Sequence, residues 1–294
     1  MANLIDKNTV TLLRIPFSFL LMPLFLLALS QSGVNILNFN VIVSFLIIHL
    51  LVYPASNGYN SYVDQDEGSI GGIENPPLPT IQLFYVTVFL DILALILSVV
   101  CIHWKFAICI FLYILASRAY SSKTIRLKKY PYIGFLTVVF FQGAFTYYMC
   151  VLGITGQLLE LNQPIIYLLI ACSLQIAGAY PLTQIYQHQQ DYKDGVITIS
   201  YKLGYIGTFL FTGIMFLGTN LFYFLYFNAT ESLSSFYILQ LFFLPIVGYY
   251  VYWFSTVIKD RTAANFKHTM RMNLLAAICM NTCFLILYIM NTFA

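Results

Sequence analysis

Charged residues are scarce in this chain. Asp, Glu, Lys and Arg make up 9% of its 294 residues, whereas soluble domains contain roughly 25%. This shortage excludes an ordinary soluble domain, and nothing in the composition supports nucleic-acid binding. Hydrophobic residues account for 60% of the chain. They form recurring runs of about 20 residues, each long enough to cross a hydrocarbon core as a helix. We therefore expect an integral, multi-pass protein surrounded by membrane lipid.

Cysteine motifs for metal binding are also missing. All six cysteines fall within apolar runs, where Cys behaves as a small hydrophobic residue. Cys279 and Cys283 are one helical turn apart, but no CxxC pair or neighbouring histidine accompanies them. A zinc site is therefore not expected.

The apolar runs predict nine membrane spans. They cover residues 9–30, 36–55, 79–102, 104–120, 132–155, 164–187, 207–228, 236–257 and 270–292. The fold class that we predict is an all-α integral membrane protein, with nine transmembrane helices in a bundle around a central cavity. We treat residues 1–294 as a single transmembrane domain, because no segment of soluble-domain size remains between the spans.

Basic residues are distributed unevenly between the connections. If the N-terminus lies on the same side as the connections after the even-numbered spans, that side receives 13 of the 14 Lys and Arg residues, with Lys105 as the exception. By the positive-inside rule this side is the cytoplasm. We expect a bacterial cytoplasmic membrane, with the connections after the even-numbered spans facing the cytoplasm.

A polar sequence occurs twice in this apolar chain. Residues 54–68 read PASNGYNSYVDQDEG, and residues 181–195 read PLTQIYQHQQDYKDG. The corresponding positions include Asn57 with Gln184, Asn60 with Gln187 and Asp64 with Asp191. Within each copy the amides and the aspartate stand at i, i+3 and i+7, which is one face of a helix. Because the copies follow the second and sixth spans, we expect a parallel repeat whose polar faces meet across the cavity.

Carboxylate and amide oxygens on two facing helices form a set of hard ligands. Mg²⁺ prefers such oxygens, and it usually shares its coordination shell with waters and substrate phosphates. The pattern therefore predicts Mg²⁺ bridging a diphosphate. The alternative is that these residues are ordinary polar groups at helix ends. A single NxxxD sequence would favour that alternative, but the matched second copy opposes it.

Basic residues cluster after the fourth span, in the sequence SRAYSSKTIRLKKYP. Arg can bind phosphate through two parallel hydrogen bonds, and Lys acts as a point charge. We predict diphosphate contacts from Arg118, Lys123, Arg126 and Lys128, although the positive-inside rule alone would also place these residues there. Asp91 lies near the middle of the third span, where an ionisable group usually faces the bundle interior.

These motifs resemble the UbiA superfamily of intramembrane prenyltransferases, which transfer isoprenoid chains from diphosphates to lipophilic acceptors. The resemblance covers essentially the whole chain and includes LLRIP, NGYNSYVDQDEG, YSSKTIRLKKYP and DYKDGVITISYKLG. It implies a nine-helix fold with an active site open to the cytoplasmic side. It also implies a Mg²⁺-dependent prenyltransferase that takes a polyprenyl diphosphate donor and a lipophilic acceptor, either an aromatic ring or another lipid.

The acidic motifs of the family, NDxxDxxxD and DxxxD, are only partly present. The aspartates of the first motif fall on Ser61, Asp64 and Gly68, and those of the second fall on Gln187 and Asp191. By resemblance, Asp64 and Asp191 are the catalytic residues. The implied metal ligands are Asn60, Asp64, Glu67, Asp191 and Asp194. The implied substrate-binding amides are Asn57, Asn60, Gln184 and Gln187.

Two other functions stay open at this point. The first is phosphoribosyl-type transfer to a polyprenyl phosphate, which needs similar groups. The second is a non-catalytic lipid-binding membrane protein derived from the family, which the replaced aspartates would allow. A transporter is not favoured, because transporters often have broken helices in inverted repeats, whereas this repeat is parallel.

Overall fold

The computed structural model describes residues 6–293, and these residues form helices joined by short loops. The α-helices are α1 (Lys7–Leu12), α2 (Ser18–Leu21), α3 (Pro23–Ser32), α4 (Phe39–Leu46), α5 (Tyr53–Asp64), α6 (Ile81–Leu97), α7 (Trp104–Ser121), α8 (Pro131–Gln142), α9 (Ala144–Thr155), α10 (Gln163–Gln184), α11 (His188–Lys193), α12 (Ile199–Ala229), α13 (Leu233–Lys259) and α14 (Phe266–Phe293). Within residues 6–293 there is no β-sheet, and one isolated bridge joins Ile70 to Ile73.

The helices agree with the predicted spans. Seven helices of the described chain are long and apolar enough to cross a membrane, and the bent pair Lys7–Leu21 and Pro23–Ser32 adds an eighth. The remaining predicted span corresponds to α7, which has 18 residues. Large apolar side chains lie exposed on the outside of the bundle; Val100 and Leu217 are each 74% exposed. The predicted all-α membrane bundle is therefore confirmed, because only a lipid environment accommodates so apolar an outer surface.

The first span is broken at Arg14. This residue has a left-handed backbone conformation, with φ 49° and ψ 42°, which residues other than glycine rarely adopt. Pro16 and Pro23 follow, and proline cannot donate the main-chain hydrogen bond of a continuous helix. Before Pro23 the helix axis also bends, by 41° between Lys7–Leu21 and Pro23–Ser32. The break leaves Arg14 outside the regular helical turns.

The second span passes through a π-helix before Pro54. α4 is followed by a π-helical segment at Ile47–Val52, and α5 begins at Tyr53 with Pro54 in its first turn. Pro54 lacks a main-chain donor, and a wider π turn accommodates such a residue within one continuous span. α5 therefore carries the first polar copy as a direct extension of the membrane helix and ends at Asp64.

The two halves of the bundle pack around an internal space. In the second half, α10 packs along α12 and also contacts α8 and α9, whereas α3 of the first half packs against α9 and α14. α12 is interrupted at Gly204, where φ is 65° and ψ is 178°, a conformation open essentially to glycine alone. The apolar length of α12 therefore begins after Gly204, close to the predicted start of the seventh span.

Candidate active site

A cavity of about 390 Å³ lies inside the bundle, with walls that include parts of α5, α7, α8, α10 and α14. One part of its wall is polar and carries Asn60, Asp64 and Asp191. Other parts are apolar and include Leu20, Leu21, Leu24, Phe141, Ile176 and Met280. Along α5 the lining runs from Asp64 back to Tyr53, on the order of 16 Å at the helical rise per residue. The cavity can thus hold a ligand with a polar head and an apolar chain.

Asp64 is held at the last turn of α5 by two neighbours. Asn60 Nδ2 donates to Oδ2 of Asp64 at 2.9 Å, and the ammonium of Lys128 forms a salt bridge with the same oxygen. Asn60 also donates to Ser121 Oγ at 3.0 Å. The other oxygen of Asp64, Oδ1, is buried without a hydrogen-bond partner among the described residues. Because buried acceptors are normally satisfied, Oδ1 is suited to contact a ligand.

The second polar copy reaches the same cavity through a broken helix. α10 ends at Gln184, and α11 begins at His188, so this copy does not form the single helical face that its spacing predicts. The break is anchored by His188, whose Nε2 lies 2.8 Å from Ser200 Oγ and whose ring stacks on Tyr205. Even so, Gln184, Gln187 and Asp191 all line the cavity.

Asp66 also lines the cavity, so it shares one partly dehydrated wall with Asp64 and Asp191. Burial raises the pKa of Asp66 to about 6 and that of Asp191 to about 7. The charge of Asp64 adds to both increases because like charges oppose ionisation, whereas the nearby Lys128 acts in the opposite direction. The carboxylates act on one another across the two polar copies, and their negative charge favours binding of a cation at this wall.

The structure brings together most, but not all, of the residues singled out in the sequence. The cavity is lined by Asn57, Asn60, Asp64, Lys128, Gln184, Gln187 and Asp191. Glu67 and Asp194 are exposed and are not part of the lining. Asp194 is nevertheless close enough to raise the pKa of Asp191. The roles assigned to all of these residues stay predictions.

Among the basic residues, Lys128 lines the cavity and the other three do not. Lys123 is exposed, and Arg126 is partly exposed with a left-handed backbone (φ 48°). Arg118 donates from Nε to Asp91 Oδ2 at 2.9 Å, and its guanidinium lies 3.9 Å from the ring centroid of Tyr59. Arg118 thus joins α7 to α5 and α6 within the bundle, and Asp91 faces the interior, as predicted.

The sequence interpretation missed Arg14 and did not include Asp66 among the metal ligands. Both line the cavity. Arg14 donates from Nη1 to the carbonyl of Gly71 at 3.2 Å and from Nη2 to the carbonyl of Asn57 at 3.0 Å. Its position within an apolar run was a usable signal, because a charge in a membrane span usually faces the bundle interior. Tyr120, whose hydroxyl contacts that of Tyr180, is a further polar group on the wall.

The oxygen-rich wall fits a Mg²⁺ ion that shares its coordination shell with waters and substrate phosphates. Among residues 6–293, no group of three His, Cys, Asp or Glu side chains is close enough to hold a metal by itself. Mg²⁺ does not need such a cage, because it commonly takes one or two carboxylates and completes its shell with waters and substrate phosphates. The unpartnered buried oxygens Asp64 Oδ1 and Gln184 Oε1 agree with that mode of binding.

The fold and the cavity define a helical membrane protein with an acidic and amide-rich site above an apolar chamber. Residues 19–275 match the UbiA prenyltransferase family. The chain therefore belongs to this family, and the match confirms both the resemblance seen in the sequence and the enzyme class, a prenyltransferase. No curated protein sequence matches the chain.

Solved structures share this fold across almost the whole chain. A UbiA homologue from Archaeoglobus fulgidus bound to GPP and Mg²⁺ has a TM-score of 0.69 and 15% identity, with 96% of this chain and 99% of that chain covered. A UbiA homologue from Aeropyrum pernix K1 has a TM-score of 0.68 and 14% identity, with 93% and 98% covered. A digeranylgeranylglyceryl phosphate synthase has a TM-score of 0.61 and 17% identity, with 97% and 98% covered.

Proposed function

We propose that this protein transfers a prenyl group from its diphosphate to a lipophilic acceptor inside the membrane, in a Mg²⁺-dependent reaction. One observation carries the proposal: a single cavity has both an acidic wall, at Asp64, Asp66 and Asp191, and an apolar chamber. Relatives of the same fold are described as bound to GPP or DMAPP together with Mg²⁺. A prenyl diphosphate has the same two-part character, with an anionic head and an apolar chain.

Charge balance supports the need for a metal. The cavity lining within residues 6–293 contains three carboxylates, Asp64, Asp66 and Asp191, and two cations, Arg14 and Lys128. When all are ionised, their charges sum to minus one. A diphosphate would add more negative charge where burial already opposes ionisation. The donor head therefore needs additional positive charge, and a divalent ion supplies it.

Two sets of side chains would bind the diphosphate head of the donor, one through Mg²⁺ and one directly. Asp64, Asp66 and Asp191 form no complete cage, so they would hold Mg²⁺ only together with water and the donor's phosphate oxygens. The bound ion would stabilise negative charge on the leaving diphosphate. Lys128 and Arg14 would lie beside the phosphate oxygens, where charge-assisted hydrogen bonds are strongest. The prenyl chain would lie against the apolar wall, where aromatic faces such as that of Phe141 can stabilise an allylic cation.

Exclusion of water is the second task of the cavity. Cleavage of the allylic carbon–oxygen bond gives pyrophosphate and an allylic cation, and water would trap that cation as an alcohol. The bundle surrounds the chamber with apolar side chains from the first span, α10 and α14. The cation can then react with the acceptor, which loses a proton to complete the substitution. The positive-inside distribution favours a cavity mouth on the cytoplasmic side, and this orientation is part of the proposal.

The test uses the purified full-length protein with radiolabelled prenyl diphosphates of several chain lengths, with and without Mg²⁺ and a membrane lipid extract. We expect labelled lipophilic product and pyrophosphate release that depend on Mg²⁺. Asp64→Asn should reduce the rate at least tenfold, whereas Glu74→Gln, an exposed acid in the loop after α5, should retain it. Equal rates for wild type and Asp64→Asn would overturn the proposal.

The same assay separates the alternatives. A phosphoribosyl-type transferase would consume a polyprenyl phosphate and an activated sugar phosphate, and it would leave prenyl diphosphates intact. A lipid-binding protein without catalysis would bind the prenyl diphosphate but form neither pyrophosphate nor product.

A further inference from the structure

Two amide side chains of the second polar copy hold the loop that follows α5. Gln187 Nε2 donates to the main-chain carbonyl of Ser69 at 3.1 Å. Gln190 Nε2 donates to Oδ1 of Asp66 at 2.8 Å. Asp66 lines the cavity, so the second contact fixes one oxygen of a carboxylate in the candidate site.

Gly68 and Gln190 are complementary in size. A Cβ at residue 68 would lie 2.3 Å from Oε1 of Gln190 and 3.3 Å from its Cδ. Gly68 is not among the glycines with positive φ, so its backbone does not require glycine. The space beside it is instead taken by the Gln190 side chain. A larger residue at position 68 would displace that flexible side chain and break its hydrogen bond to Asp66.

We propose that Gln190 is a positioning residue of the metal site: its amide holds the Asp66 carboxylate at the cavity wall, and Gly68 provides the space that this amide needs. A glutamine suits the task because it donates a hydrogen bond to one carboxylate oxygen and leaves the negative charge available to a cation. This inference rests on the proposed function, because Asp66 needs positioning only if the cavity binds a metal with the donor head.

The experiment measures metal binding separately from turnover. Mn²⁺ binding to the purified full-length protein is followed by electron paramagnetic resonance in the presence of inorganic pyrophosphate, and the Mg²⁺ dependence of the initial rate is titrated in parallel. The variants are Gln190→Ala and Gly68→Ala, which disturb the same contact from opposite sides. Gln189→Ala is the matched control, because Gln189 is the exposed neighbour with the same side chain.

Loss of an outer partner of a metal ligand typically weakens metal affinity by about 10- to 100-fold. We expect Gln190→Ala and Gly68→Ala each to raise the Mn²⁺ concentration at half-saturation about tenfold, with kcat at saturating Mg²⁺ within about twofold of wild type. Gln189→Ala should match wild type in both measurements. A merely structural defect would instead lower kcat and the melting temperature without a selective change in metal affinity.

The double variant Gly68→Ala/Gln190→Ala tests the coupling. If both residues act through one hydrogen bond, the double variant should bind Mn²⁺ as Gln190→Ala does. Wild-type affinity in both single variants, or independent multiplication of their effects, overturns the inference while leaving Mg²⁺-dependent turnover of the wild type intact. Absence of both Mn²⁺ binding and turnover in the wild type overturns the proposed function and this inference together.

Discussion

Lys128 and Asp64 form a salt bridge at the cavity wall, and the carboxylate oxygen that Lys128 contacts also accepts a hydrogen bond from Asn60 at 2.9 Å. Lys128 comes from the basic loop after α7, whereas Asp64 ends α5. This pair places a cation beside a candidate metal ligand and leaves the second oxygen of Asp64 without a partner among the described residues. In the proposed reaction, Asp64 would be one of the residues that hold Mg²⁺, and Lys128 would supply a positive charge beside the donor diphosphate.

Replacement of Lys128 should impair donor binding. We expect Lys128→Gln to raise KM for the prenyl diphosphate and to lower kcat/KM by about 10- to 100-fold, since a hydrogen bond to a charged group contributes about 1.5–3 kcal/mol. Steady-state kinetics with varied donor measures this. The control is Lys129→Gln, because Lys129 is the exposed next residue in the chain. Equal losses in both variants would indicate a general effect of loop charge and contradict a direct contact.

Replacement of Arg118 should lower the stability of the folded protein. Its guanidinium pairs with Asp91, and both side chains are largely buried, with 20% and 13% exposure. Arg118→Gln leaves the Asp91 charge without its partner, which costs about 3 kcal/mol, so the melting temperature in detergent should fall. The double variant Arg118→Gln/Asp91→Asn should recover part of the loss. An unchanged melting temperature with a tenfold higher donor KM would instead support the sequence prediction that Arg118 contacts substrate.

Mg²⁺ and pyrophosphate should stabilise the protein together more than separately. The described residues offer no three-carboxylate cage, so the metal alone binds weakly, and pyrophosphate alone faces three acidic side chains at the wall. Pyrophosphate would supply oxygen ligands for the metal, and the metal would reduce the repulsion between pyrophosphate and the acidic side chains. Because ligands that bind only the folded state raise its stability, the shift in melting temperature with both should exceed the sum of the separate shifts. An additive result in wild type, or an unchanged excess in Asp64→Asn, would contradict this arrangement.

The stability of the protein should depend on His188 at mildly acidic pH. Burial lowers the pKa of His188 to about 4, below the usual value of about 6.5. Between these values the unfolded chain binds a proton that the folded protein excludes, so the contribution is present above about pH 6.5 and is lost as the pH falls towards 4. At pH 5.5 the loss should be about 1 kcal/mol.

Melting temperatures at pH 7.5 and 5.5 measure this contribution. His188→Gln removes the titrating group, so the drop between the two pH values should be smaller in the variant than in wild type. Other groups also titrate in this range, and the comparison therefore concerns the difference between the two proteins. Identical drops would show that the imidazole does not control this pH dependence.

Hydropathy alone was sufficient to find the helices, because a helix in lipid must satisfy all its backbone groups internally and must match the membrane thickness. The repeat was also sufficient to predict that Asp64 and Asp191 share a cavity. The prediction that the second copy forms one helical face was wrong, because the helix breaks between Gln184 and His188. His188 holds this break through contacts with Ser200 and Tyr205 of α12. The spacing of the amides in the sequence does not indicate these contacts.

The backbone conformation of Gln65 determines which of the adjacent acids, Asp66 or Glu67, faces the cavity. Gln65, the residue after the end of α5, has φ 51° and ψ 43°, a left-handed conformation uncommon for glutamine. After this turn, Asp66 lines the cavity and Glu67 is exposed. Helical spacing cannot predict which of two consecutive carboxylates faces inward once the helix has ended.

The sequence by itself determined the membrane location, the helical spans and the pairing of the two polar copies, because composition and local periodicity carry that information. Only the tertiary structure decided which charges meet. It paired Arg118 with Asp91, brought Lys128 and Arg14 to the cavity, and placed Gln190 against Asp66. These pairings depend on helix packing and on the left-handed backbone at Arg14 and Gln65, which the spacing of residues along the chain does not predict.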